Sequence, residues 1–123
     1  MLRKEIFSRL RKKGTEMQGI SIKGTGMCIP EMIATNEDYA KFVETSDEWI
    51  TTRTGIKTRH ISDGSPAYLL SVKSAQQAIQ NAGITAADID LILHTSVTPD
   101  YVSPSMSCIV QGKIGAVNAA CID

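Results

Sequence analysis

The 123 residues carry 13 lysines and arginines against 13 aspartates and glutamates, with 42% hydrophobic and 5% aromatic residues, the composition of one globular domain with a real core. Zero formal net charge argues against neutralising nucleic-acid phosphates over a broad face, and no run nears the ~18–20 apolar residues of a membrane span. Cys28, Cys108 and Cys121 stand far apart, as do His60 and His94, which speaks against a disulfide framework and a metal site and for a reducing compartment.

Residues 1–16 hold six bases and two acids, so the remainder is net acidic. Leu2, Ile6, Phe7 and Leu10 recur at near-helical spacing, which permits a short basic amphipathic helix. The alternative is a solvated basic extension upstream of Met17, with residues 17–123 forming the domain. The stretch lacks the apolar run and cleavage site of a secretory signal.

From Met17 the pattern alternates strands and helices. Gly19–Gly26 alternates apolar residues and ends in glycines, as a strand and tight turn would. Thr35-Asn36, then Glu37-Asp38 and an apolar Tyr39/Phe42/Val43 stripe, predict a helix with acids in its first turn. Ser46-Asp47-Glu48-Trp49-Ile50 opens another, capped by Ser46 or Asp47. A long helix is expected from about Pro66 to Ala82, stopped by Gly83. Asp88–Thr95 suits a buried parallel strand. Ser103-Pro104-Ser105 starts a helix that ends near Gly115, and Val117–Ile122 begins a strand. Such alternation implies a layered α/β fold with a largely parallel sheet. The last strand stands without the covering helix that would complete such a layer.

One stretch is more specific than these propensities. Thr45–His60, TSDEWITTRTGIKTRH, occurs with Gly24-Thr-Gly, Pro30-Glu31, Thr35-Asn36, DIDLILHTSVTPD and a PS…Q…IGA run. Together they resemble the N-terminal part of 3-oxoacyl-[acyl-carrier-protein] synthase III, a condensing enzyme of the thiolase-like superfamily. The resemblance runs from about Gly19 to Asp123. It implies an α/β fold, the incomplete N-terminal half of a thiolase-like architecture with a mixed, largely parallel sheet and covering helices. It also implies a cytoplasmic homodimer that takes an acyl-CoA primer and malonyl-acyl carrier protein, with CoA thioester as substrate and no covalently bound cofactor.

In that chemistry a cysteine thiolate takes the acyl group, and a His and an Asn from the second half of the family's chain assist decarboxylation. Matching Gly115-Ala116 and Ile122-Asp123 to the family puts its cysteine a few residues beyond Asp123, so the chain is expected to lack all three groups and to be inactive alone. Cys121 then falls on a strand, without the helix N-terminus that lowers a thiol pKa. It reads as a buried structural cysteine, as do Cys28 and Cys108; the competing reading makes Cys121 the nucleophile of a minimal acyltransferase. By the resemblance, Trp49 stacks on the CoA adenine with Arg53 beside it, and Thr45 lies near the nucleotide. Independently, an indole face and a guanidinium can sandwich a purine. A lone Trp is more often core than ligand platform, and here the flanking residues Thr45–Ile50 and Arg53–Ile56 turn the reading to a functional one. Ser103 matches a position lining the acyl pocket or is a helix N-cap, and His60 and His94 read as structural. A different class of function, a non-catalytic half that binds CoA or pairs with a partner chain, fits the same residues.

Overall fold

The computed structural model describes residues 20–123; the basic extension 1–16 lies outside the described residues. Strand β1, Met32–Thr35, pairs antiparallel with β2, Thr58–Ile61, in the register Met32 opposite Ile61 and Thr35 opposite Thr58. Two short helices lie between them, α1 (Asn36–Ala40) and α2 (Asp47–Thr54). A capping box starts α1: Thr35 Oγ1 accepts from the Asp38 amide, and Asp38 Oδ2 accepts from the Thr35 amide at 2.9 Å. Ser46 caps α2, its Oγ accepting from the Trp49 amide at 3.1 Å.

The long helix α3, Ala67–Ala82, begins after Pro66, which supplies no side-chain cap. Asp100 supplies it from a distant loop: its carboxylate accepts from the amides of Ala67 at 2.9 Å and Tyr68 at 2.7 Å. The helix ends at Gly83, whose φ of +67° is left-handed. After a single 3₁₀ turn at Ala86–Asp88, β3 (Leu91–Leu93) pairs in parallel with β4 (Ala120–Ile122), joined by α4 (Met106–Ile114). The N-terminus of α4 is doubly capped. Ser105 Oγ accepts from Cys108, and the Asp123 carboxylate accepts from the amides of Met106 at 2.6 Å and Ser107 at 2.8 Å. Met106, Val110, Ala116 and Ala119 form the core where α4 packs, and Ile50 anchors α2.

Several expected elements differ in extent. Residues 20–26 form no strand; the segment runs extended along α3. Asn81 Nδ2 donates to the Thr25 carbonyl at 2.8 Å, and the Met27 amide donates to Gln77 Oε1 at 2.6 Å. Gly24 and Gly26 press so close to α3 that a Cβ on either would stand 2.6 Å from a helix backbone nitrogen, so the glycines serve helix packing rather than a turn. Helix α1 stops at Ala40, leaving Phe42 and Val43 exposed off its end, because the stripe outruns the helix that would carry it. The strand expected over Asp88–Thr95 is three residues long, and Leu91 and Leu93 are exposed. Only the alternate positions Ile92 and Cys121 turn toward the helices. Val117–Ile122 likewise shortens to Ala120–Ile122, and Ser105 rather than Ser103 caps α4. Among the described residues the sheet is thus two two-stranded pieces, one antiparallel and one parallel.

Candidate functional site

The site is built where α1 and α2 fold over the end of the β1–β2 pair. A buried asparagine holds that corner. Asn36, 1% exposed, donates to Asp47 Oδ1 at 2.8 Å and to the Ile56 carbonyl at 2.8 Å, and Arg59 Nη2 donates to Asn36 Oδ1 at 3.0 Å. Thr51 Oγ1 donates to the same Asp47 oxygen at 3.2 Å, and Lys57 reaches Asp47 Oδ2 at 3.3 Å. The Asn36 amide, then Lys57, hold the Asp47 carboxyl below its ordinary value. This network joins the start of α1, the first turn of α2 and strand β2, and a polar group so buried is costly unless satisfied.

On that base α2 presents Trp49 and Arg53, four residues apart and therefore on one helical face. The Arg53 Cζ stands 4.8 Å from the indole centroid, in cation–π range. Trp49 remains 55% exposed, which removes the core reading of this residue. Its indole borders two clefts. One, about 540 Å³, is lined by Tyr39, Val43, Thr45, Trp49, Ile50 and Arg59; the other, about 350 Å³, lies against Ser46, Glu48, Trp49, Thr52 and Arg53. The three expected site residues are therefore brought together around one indole, with Thr45 on the first cleft and Arg53 on the second. Thr45 Oγ1 is buried and has no hydrogen-bond partner.

Arg59 and Tyr39 also line the first cleft, and the sequence reading did not name them as site candidates. The Arg59 guanidinium stacks 4.3 Å from the Tyr39 ring centroid. Their signal lay in the pairing of β1 with β2, which carries Arg59 back beside Asn36 and Tyr39 across 23 residues of chain.

The other candidates fall outside this corner. His60 Nδ1 lies 2.6 Å from the Pro30 carbonyl and ties β2 to the chain before β1. His94 follows β3, half-buried, with Nε2 3.2 Å from Ser71 Oγ on α3. Ser103 is exposed in the loop before α4. Cys121 sits half-buried on β4; burial first, then the neighbouring Cys108 thiol, pushes its pKa up, the reverse of an activated nucleophile. Cys108 is exposed and Cys28 half-buried, so neither is the buried core cysteine expected; the Cys108 thiol lies beside Cys121. Among the described residues no three His, Cys, Asp or Glu side chains gather as a metal site, and no helix is long and apolar enough to cross a membrane.

No family model matches the chain. Its sequence is 51% identical over 107 residues to beta-ketoacyl-[acyl-carrier-protein] synthase III of Clostridium acetobutylicum and 50% identical to that of Clostridium botulinum strain Langeland, each alignment taking 87% of this chain and 33% of the relative. Among solved structures, 3-oxoacyl-[acyl-carrier-protein] synthase III from Aquifex aeolicus superimposes with a TM-score of 0.81 at 39% identity, over 85% of this chain and 34% of that one. The priming beta-ketosynthase of the R1128 polyketide pathway gives a TM-score of 0.78 at 29% identity, over 83% of this chain and 31% of that one. The chain therefore spans about a third of the length of the curated relatives it matches. In sequence and fold it matches the N-terminal part of these condensing enzymes, as its motifs led us to expect, and its architecture is that part of the thiolase-like fold.

Proposed function

We propose, from this likeness to the N-terminal third of 3-oxoacyl-[acyl-carrier-protein] synthase III, that the chain forms the CoA-binding mouth of a condensing enzyme. The reaction joins an acyl-CoA primer to malonyl-acyl carrier protein, with loss of carbon dioxide, and starts fatty-acid synthesis in the cytoplasm; the complete enzyme is a homodimer. One observation carries the reading: a half-exposed indole with a guanidinium 4.8 Å away on the same helical face. Trp49 offers its face to the adenine, Arg53 closes over the purine from beside it, and Thr45 borders the nucleotide. The Asn36 network keeps α2 in place, so the stacking pair is ordered before ligand arrives, which lowers the entropy cost of binding. The chain's own task is to bind and orient the nucleotide end of the thioester. Cys121, raised in pKa on a strand, is not the attacking thiol.

The chain holds a single tryptophan, so its fluorescence reports this site alone. Titration with CoA should quench Trp49 saturably, and Arg53→Ala should weaken that response. A Trp49 signal indifferent to CoA would overturn the proposal.

A further inference from the structure

Two of the three cysteines are held side by side by the way α4 joins β4. At one end of the joint the Asp123 carboxylate accepts from the Met106 and Ser107 amides. At the other, Gln111 Nε2 donates to the Ala119 carbonyl at 2.6 Å. Cys108 falls between these pins along α4, and Cys121 falls between them along β4. Cys121 is the residue of β4 that turns toward the helices, and the Cys108 thiol is its neighbour. Both are free thiols, Cys108 exposed and Cys121 half-buried. Cys28 lines a separate cleft with Pro30, Asp63 and Lys73. Thiols held together by a doubly pinned joint meet the main condition for closing a disulfide, side chains that converge.

We propose that Cys108 and Cys121 form a reversible oxidation site, closed to an intramolecular disulfide by a small disulfide of the glutathione class. The exposed Cys108, as its thiolate, attacks one sulfur of oxidised glutathione, and one glutathione thiolate leaves. Cys121 then gives up its proton and attacks the Cys108 sulfur, which releases the second glutathione. Two protein thiols become one disulfide, and one glutathione disulfide becomes two thiols. Burial pushes the Cys121 pKa up, so this thiol is poor at taking an oxidant from solution and suited to attacking a sulfur already beside it. In a reducing compartment both stand as thiols, and the bond forms as the glutathione pool becomes oxidised. It fixes the first turn of α4 to β4 covalently, where hydrogen bonds alone hold it in the reduced chain. The pair stands apart from the Trp49 corner and does not depend on what binds there.

The probe is oxidised glutathione, mixed at stepped ratios with reduced glutathione and added to the full chain, folded or in urea. Remaining thiols are then blocked with iodoacetamide, and peptide mass mapping locates each disulfide. The folded chain should carry the Cys108–Cys121 bond, reversed by dithiothreitol, at ratios where the unfolded chain carries about tenfold less of it. By linkage, the oxidised chain should melt at a higher temperature than the reduced one. Cys121→Ser should leave Cys108 as a mixed disulfide with glutathione, because the second attacking thiol is gone. Cys108→Ser should leave Cys121 as a thiol. An unaltered chain in which Cys108 stops at the mixed disulfide, a bond from either cysteine to Cys28, or equal closure in the folded and unfolded chains would overturn the site.

Discussion

Asn36 Nδ2 donates to Asp47 Oδ1 across 2.8 Å, and that bond fastens the first residue of α1 to the first residue of α2. The same amide satisfies the Ile56 carbonyl, and its oxygen receives Arg59. Asn36→Ala should therefore take a hydrogen bond from the partly exposed Asp47 carboxylate, the Ile56 carbonyl and the Arg59 guanidinium at once and destabilise the fold by about 1–3 kcal/mol. Chemical denaturation of the variant checks this; a loss under about 0.5 kcal/mol would mean that water or a neighbour replaces the amide.

Trp49 and Arg53 separate by effect. Trp49→Ala should weaken CoA binding, read by calorimetry, by about 1–3 kcal/mol, the worth of one base on an aromatic platform. In a protein that holds the complete site, the proposed role of the indole, at the nucleotide and not at the reacting carbonyl, places the loss in KM rather than kcat. A fall in kcat with KM unchanged would remove Trp49 from the entrance.

Acid should loosen the corner and both capped helices. Lys41 first, then the Thr35 amide, hold the Asp38 carboxyl below its ordinary value; Asn36 does so for Asp47, and Ser107 for Asp123. A carboxyl whose pKa is lower in the folded state stabilises the fold above its unfolded-state value. That contribution is lost as pH falls through the folded value. Stability should thus be flat near neutrality on account of these groups and decline below about pH 4. Asp47→Asn should make the acid decline shallower. An identical slope in the variant would show that Asp47 does not titrate differently on folding.

Two glycines should respond differently to one methyl group. At Gly26 a Cβ would collide with the α3 backbone at Ser74 and Ala78, and a helix backbone does not yield as a side chain does. Gly26→Ala should cost about 1–3 kcal/mol or more by overpacking. Gly83→Ala meets open space and bears only the left-handed φ of +67°, a strain of about 1–2 kcal/mol. Thermal melts in which Gly83→Ala is clearly the more damaging would contradict the close approach at Gly26.

The local grammar of the chain was readable. Ser46 as a cap, and Pro66 and Gly83 as the start and stop of α3, each act within one helical turn, where the governing physics involves near neighbours. Trp49, Arg53 and Thr45 were reached through the motif around them, and Thr45 and Arg53 line the two clefts that border the Trp49 indole. What escaped was set by partners far along the chain. Residues 20–26 have the alternation of a strand, yet a strand exists only by its ladder, and their hydrogen bonds go to α3 side chains instead. Strand β2 is four residues long, too short for periodicity to announce. Its pairing with β1 is what brings Arg59 to Asn36 and Tyr39. Leu91, Leu93 and Ile122 read as buried because they are apolar, but in β3 and β4 they share the outward face of the pleat.

The clasp between Asp100 and the start of α3 makes two amides into reporters of a remote loop. Ala67 and Tyr68 have no acceptor within their own helix, so their shielding from solvent exchange comes from a carboxylate 33 and 32 residues away. Their deuterium uptake then measures how often that loop lets go, while amides deeper in α3 measure the opening of the helix itself. A ligand that pulls the Asp100 loop aside would speed exchange at these two positions and leave the middle of α3 untouched, which distinguishes a loop displacement from a general loosening without any change at the loop having to be observed directly.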